Sequence, residues 1–272
     1  MPRKTQPDEH RQAELARALT DRDRAVIASL GDHRVMTTRH LHALHFHNVT
    51  PQRSWDRLLA LHRWGVLDRF RPYLRWGAVP FRWVLAADGE HVYARIRGLD
   101  EPAQRPGSRI ALAHSAKLGH ILGLSETYAA FATAARTTPG AHLEVWRTEA
   151  ECARLWGRHI RPDAYLRWIE GDTAVEAFLE YDNGTEGHHQ VARKLRGYAD
   201  HAAAYQRTNH VLFVVPTHTR EERLSETLAA RTGGGITVHL TTPDLIAAGG
   251  AASAIWRPAG DDYRTRLADI AT

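Results

Sequence analysis

PDAYLRWIEGDTAVEAFLEYD, residues 162–182, is the stretch on which the reading of the whole chain turns. Within it, Glu170-Gly171-Asp172 is a turn signal between two runs of period-2 character, the pattern of a β-hairpin. With the turn centred between Gly171 and Asp172, Asp163 faces Glu180, Tyr165 faces Phe178 and Arg167 faces Glu176. On the other face Ala164 meets Leu179, Leu166 meets Ala177 and Trp168 meets Val175, so that face is apolar and can lie on a core. The first face holds an aromatic pair and an opposite-charge pair, both of which stabilise antiparallel strands. It ends in three carboxylates, Asp163, Glu180 and Asp182. Opposed carboxylates repel. A divalent cation removes the repulsion, because Mg²⁺ is held by one or two carboxylates together with phosphate and water. Asp163 and Glu180 are therefore the candidate Mg²⁺ ligands, with Mn²⁺ as the substitute. The bland alternative is a solvated acidic hairpin end, and a slip of one residue would put the carboxylates on opposite faces.

Outward from the hairpin, residues 186–208 read as a helix on which Gln190, Lys194 and Tyr198 fall four apart and share a face. Residues 210–216 form an uninterrupted apolar strand, as expected for one covered on both sides. A helix over 219–231, a glycine turn at 233–235 and a strand over 236–240 follow. Before the hairpin come a helical stretch over 110–136, interrupted near Gly119–Gly123, a strand over 143–147 and a helix over 149–156. With the short 149–156 helix set aside, the order α-β-β-β-α-β-α-β predicts an α/β (α+β) domain over 108–257, with antiparallel strands first and a right-handed crossover after. Residues 98–107, with Pro102 and Pro106, read as a linker, and 258–272 as a tail. There is no internal repeat, Walker loop or dinucleotide glycine pattern.

The N-terminal part has a different grammar. After a polar tail over 1–18, Thr20 with Asp23 caps a first helix that ends at Gly31-Asp32. Residues 35–37 are extended, and a second helix starts at Thr38. Thr50-Pro51 opens a third, running to Trp64 with Gly65 as its stop. Short strands over 66–70 and 81–85 complete a winged helix-turn-helix over 19–97. The third helix would then read DNA through Gln52, Arg53, Ser54 and Arg57. The hairpin would touch phosphates through Arg69, Arg71, Arg75 and Arg82. The His45-Phe46-His47 triplet resembles a metal-binding motif of single-strand nickases, but it falls at a helix end and reads as ordinary helix.

Charge supports the division. Residues 1–107 carry 18 Lys+Arg and 12 Asp+Glu, a net +6, whereas the rest of the 272-residue chain carries 18 and 19, a net −1. Almost all the basic residues in the first part are arginine, which suits bidentate recognition of phosphate and guanine. A basic module joined to a near-neutral one points to double-stranded DNA as the partner. No apolar run approaches a membrane span, and the N-terminus has no signal-peptide core. The single cysteine, Cys152, excludes an internal disulfide and a multi-cysteine zinc site. A cytoplasmic protein with no membrane partner is expected.

Pro162-Asp163, a carboxylate on the next strand and a polar-faced helix after it resemble the PD-(D/E)XK nuclease superfamily, whose fold is the restriction-endonuclease-like mixed sheet. More narrowly, the chain resembles the replication-relaxation family of actinobacterial plasmids and integrative elements, over about Asp21 to Trp256. The residues that carry this are the winged-helix segment, Arg161-Pro162-Asp163, Phe178-Leu179-Glu180-Tyr181-Asp182-Asn183-Gly184-Thr185-Glu186 and Lys194-Leu195-Arg196-Gly197-Tyr198. The resemblance implies a role in plasmid replication or DNA relaxation and no more; with the basic N-terminal module it gives a DNA-binding protein of a mobile element, with replication or conjugation proteins of that element as candidate partners. The nuclease resemblance implies Asp163, Glu180, Asp182 and Lys194 as the catalytic set of a Mg²⁺-dependent endonuclease or nickase. The alternative is a non-catalytic replication or copy-control regulator with a degenerate nuclease fold. One departure stands out: the nuclease pattern has Glu-x-Lys where this chain has Glu180-Tyr181-Asp182. Lys194, on the helix that follows, is the candidate replacement for that lysine.

Overall fold

The computed structural model describes residues 9–71, 79–100, 108–185 and 187–271. It divides into two compact units, Met1–Ser125 and Glu126–Thr272. No helix among the described residues is long and apolar enough to cross a membrane.

The N-terminal unit begins with α1 (Glu9–Ala18) and α2 (Asp21–His33). Thr20 and Asp23 cap α2 reciprocally, each side chain accepting the other's backbone N–H. β1 (Met36–Thr37) leads into α3 (Thr38–His45), which is capped by Thr37. α4 (Pro51–Arg63) starts on the Thr50 hydroxyl with proline at its first position. Gly65, at φ +71, turns the chain into β2 (Leu67–Phe70). β2 pairs antiparallel with β3 (Arg82–Leu85), and β1 pairs with the other side of β3. α5 (Ala87–Arg97), where the sequence had given no element, packs on α2.

One expected helix over 110–136 is two, α6 (Ser108–Ala113) and α7 (Leu118–Thr137). The break precedes the predicted glycines and is a turn at Ser115, whose hydroxyl accepts the Lys117 N–H and whose carbonyl accepts the Leu118 N–H. Leu112, Leu118 and Ile121 bury against Val35 and Val84, with Phe70 and Leu122 at the margin. Residues beyond 108 therefore complete the N-terminal core. The proline-bearing stretch at 101–107 lies outside the described residues.

In the C-terminal unit β4 (Ala141–Thr148), α8 (Glu149–Trp156), β5 (Ala164–Glu170) and β6 (Thr173–Tyr181) come first. α9 (His188–Tyr205), β7 (Asn209–Val214), α10 (His218–Ala229) and β8 (Ile236–Thr241) follow. α11 (Pro243–Gly249), β9 (Arg257–Pro258) and a 3-10 helix (Leu267–Ala271) close the chain. The six strands form one sheet in the order β4-β5-β6-β7-β8-β9. β4, β5 and β6 are antiparallel, β6, β7 and β8 parallel, and β9 antiparallel to β8. A bulge interrupts β4 between Leu143 and Val145.

The β5–β6 register is the one the turn predicts: Tyr165 opposite Phe178, Arg167 opposite Glu176, and Ala164 opposite Leu179. Gly171, at φ +58, occupies the left-handed turn position. Both faces of the sheet are covered. Tyr165, Phe178, Val211, Phe213, Val238 and Leu240 pack against Val191, Leu195 and Tyr198 of α9 and Leu224 and Leu228 of α10. On the opposite face Phe131 of α7 lies 5.7 Å from Trp146, 6.3 Å from Trp168 and 6.0 Å from Trp256, measured between rings. Residues 258–272, read from the sequence as a tail, hold the end of β9 and the 3-10 helix, whose Leu267 and Ile270 are buried.

Candidate functional site

The entry of β5 meets the end of β6. There the Asp163 N–H donates to the Leu179 carbonyl at 3.1 Å, and Asp163 Oδ2 accepts the Tyr181 N–H at 2.7 Å. These two bonds extend the hairpin ladder and fix the Asp163 carboxylate beside Glu180. Glu180 is only 3% exposed. Its Oε1 accepts the Tyr198 hydroxyl proton at 2.6 Å, and its Oε2 accepts from Lys194 Nζ at 3.0 Å. Both donors come from α9, four residues apart on one face, as helix geometry requires. Lys194 has a side chain 43% exposed, so the pair joins a buried acid to a cation in contact with solvent. Burial, then the Asp163 charge, raises the Glu180 pKa to about 7, against the pull of Lys194 and Tyr198. Burial and the Glu180 charge push the Tyr198 phenol well above its usual range, so it remains a proton donor.

Asp182 belongs to a different set of contacts. Its N–H donates to the Val214 carbonyl at 2.9 Å, Oδ1 accepts the Gly184 N–H at 2.8 Å, and Oδ2 accepts from Arg220 Nε at 2.6 Å. It ties the start of α10 to the loop after β6, and thus acts as a latch beside the site. Asp163, Glu180 and Lys194 are brought together; Asp182 turns away. Tyr198, read from sequence as the anchor of its helix face, proves to be a direct partner of Glu180. Among the described residues no group of three His, Cys, Asp or Glu side chains is placed to hold a metal ion.

The residues proposed for DNA reading in the N-terminal unit separate in the same way. Arg53 is exposed. Gln52 Nε2 donates to Asp56 Oδ1 at 2.8 Å. Ser54 is fully buried; its Oγ donates to the Pro51 carbonyl at 2.7 Å and lies 3.0 Å from His42 Nδ1. Arg57 makes a two-pronged bridge to buried Asp23, with Nε 2.8 Å from Oδ1, and stacks 4.9 Å from the Trp64 ring centroid. Burial raises the Asp23 pKa, but the hydrogen bonds from Arg57 and Thr20 outweigh it and leave the carboxyl below its usual value. Ser54 and Arg57 are thus engaged in bonds within the unit.

On the hairpin, the Arg69 guanidinium lies 5.2 Å from the centroid of Trp55, 4.2 Å from Phe81 and 5.7 Å from Trp83. Arg71 lies 5.0 Å from the Phe81 centroid. Arg82 pairs with Phe70 and Thr37 in the sheet, on the face opposite Trp83, and burial lowers its pKa. Arg75 lies outside the described residues. His45 ends α3 with Nε2 2.9 Å from Ser29 Oγ, Phe46 is buried, and His47 is exposed beyond the helix.

Fold and site together define a two-unit α/β protein with a buried acid–lysine–tyrosine cluster at one end of a mixed sheet. The model of the replication-relaxation family matches residues 27–215, which span the helical unit, the hairpin and α9. The chain belongs to the replication-relaxation family. No curated protein and no solved structure matches it.

Proposed function

We propose that the protein acts on the DNA of a plasmid or integrative element. In this reading its N-terminal unit is a winged helix that binds duplex DNA, and its C-terminal unit is a metal-dependent phosphodiesterase of the PD-(D/E)XK kind. One observation carries the catalytic reading: Lys194 Nζ, from the helix after β6, lies 3.0 Å from Glu180 Oε2, beside Asp163. The lysine absent from position 182 is thereby supplied from α9. The mixed sheet with Asp163 at the entry of β5, Glu180 on the next strand and α9 after it supports the nuclease reading. The three helices followed by a hairpin that pairs with β1 support the winged-helix reading.

Asp163 and Glu180 are hard oxygen donors on adjacent strands, and two carboxylates with phosphate and water suffice for Mg²⁺. When bound, Mg²⁺ supplies Lewis-acid stabilisation of phosphoryl oxygens and lowers the pKa of a coordinated water. Tyr198 holds Glu180 in a single orientation through Oε1. Lys194 turns from Oε2 toward the phosphate, where its charge stabilises the oxygens of the transition state. Supercoiled plasmid, incubated with Mg²⁺ or Mn²⁺, tests the reading. The wild type should convert it to open circles. Lys194→Ala should slow nicking by roughly a hundredfold while DNA affinity stays nearly constant. Arg193→Ala, pointing about 100° away on the helix, should cut normally. If the wild type binds the plasmid and leaves it supercoiled with either metal, the reading gives way to a non-catalytic regulator.

A further inference from the structure

The second half of that reading, DNA binding by the N-terminal unit, can be taken further because the side chains that a reading helix would need are engaged inside the fold. On α4, Ser54 is buried, Arg57 is locked to Asp23, and Gln52 is bonded to Asp56. Asp56 itself is exposed and would repel a phosphate. Arg53 alone of the four candidates on α4 presents a solvent-exposed charge. The hairpin beside α4 is built differently. Arg69 sits among Trp55, Phe81 and Trp83, and Arg71 lies against Phe81 as well. Each ring face covered by a guanidinium is closed to a stacking base. A guanidinium stacked on a ring keeps its N–H groups in its own plane, directed away from the ring. Arg71 is exposed, and Arg69 Nη1 is a buried donor with no hydrogen-bond partner. Arg71 is therefore the fork open to a phosphate oxygen, whereas Arg69 Nη1 is closed in among the rings and adds its charge beneath the surface.

We propose that the Arg69–Phe81–Arg71 ladder is a preorganised clamp for nucleic-acid phosphates. Through it the N-terminal unit grips duplex DNA by its backbone, with little preference for sequence. Stacking fixes the forks before binding, so little side-chain entropy is lost on contact. With Arg53 the one exposed cation in the first two turns of α4, direct readout there has few donors to work with.

The proposal rests on the DNA-binding reading, and fluorescence anisotropy with the full chain separates the two. The probes are two short labelled duplexes of unrelated sequence, titrated over a series of salt concentrations. The expected result is equal affinity for both duplexes within about threefold, whereas direct readout commonly gives far larger ratios. Arg71→Ala should weaken binding to both by about tenfold and reduce the salt slope by about one. Phe81→Leu keeps every charge but removes the stacking face. It should weaken binding too, with thermal melting confirming that the fold persists. Arg95→Ala, an exposed arginine on α5 carrying the same change of charge, is the control and should leave affinity unchanged within about twofold. If the wild type binds and neither Arg71→Ala nor Phe81→Leu alters affinity or slope, the clamp is wrong while DNA binding stands. A strong preference for one duplex, lost in Arg53→Ala, would likewise overturn it. No binding to either duplex at low salt would overturn the clamp and the DNA-binding reading together.

Discussion

Tyr198 shows how much one hydroxyl can decide. It is 1% exposed and donates to an acid that is itself buried. Tyr198→Phe keeps the ring packing against Phe178 but leaves Glu180 Oε1 without that donor. A buried acceptor left unsatisfied costs about 1–3 kcal/mol, so the variant should lose that much stability in urea denaturation at pH 8. A loss below about 0.5 kcal/mol would mean that water or a neighbour replaces the hydroxyl, and that Tyr198 does not hold Glu180. The four-residue spacing of Gln190, Lys194 and Tyr198 was legible in the sequence because helix periodicity alone puts them on one face. The fates of Arg57 and Ser54 were not. Their partners, Asp23 and His42, lie 34 and 12 residues earlier in the chain, and nothing local marks the pairing.

Among the elements, those with local signatures were the ones that could be read. Thr20 and Thr50 mark helix starts through their own side chains and, at Thr50, the proline beside it, and the Gly171 turn sets the β5–β6 register. α5 lacks such a mark: Ala86, at its cap, makes no side-chain hydrogen bond. Inside α5, Gly89 is there for contact, since a Cβ at that position would lie 2.1 Å from the Val66 carbonyl oxygen. The same physics governs the packing of α2 on α5. A Cβ added at Gly31 would come within 2.2 Å of the Tyr93 ring, and Tyr93 is held by a 2.8 Å hydrogen bond to Asp32. Alanine gains up to about 1 kcal/mol over glycine in helix propensity, whereas overpacking costs about 1–3 kcal/mol. Gly31→Ala is therefore expected to lower the melting temperature. A rise would show that Tyr93 swings aside freely and that α2 and α5 are held by other contacts.

At the level of the whole molecule, charge separates a basic first part from a near-neutral remainder, and proline and glycine at 98–107 resemble a joint. The compact units nevertheless divide at Ser125, because composition cannot show which core a helix completes. Leu112, Leu118 and Ile121 share one buried cluster with Val35 and Val84. At roughly 2 kcal/mol for each large apolar side chain buried, a fragment ending at 107 should be less stable than one ending at 125 by several kcal/mol. Thermal melting of the two fragments decides it, and equal melting temperatures would mean that α6 and α7 lend the N-terminal unit nothing. At the other end of the chain, β9 and the 3-10 helix were missed because a two-residue strand carries no periodicity.

The ends of the six-stranded sheet have a consequence for company. An open edge presents a row of unpaired backbone donors and acceptors to any passing strand. At one edge β9 is two residues long and finishes in Pro258, which has no N–H to give. At the other, β4 is bent by its bulge, and Glu144 within that bulge is exposed and bound to Arg167 of the neighbouring strand. Neither border offers a long flat ladder on which a second chain could lie. Both borders carry features that disfavour strand addition, which leaves helices, loops and side chains as the better surfaces for a partner of this unit.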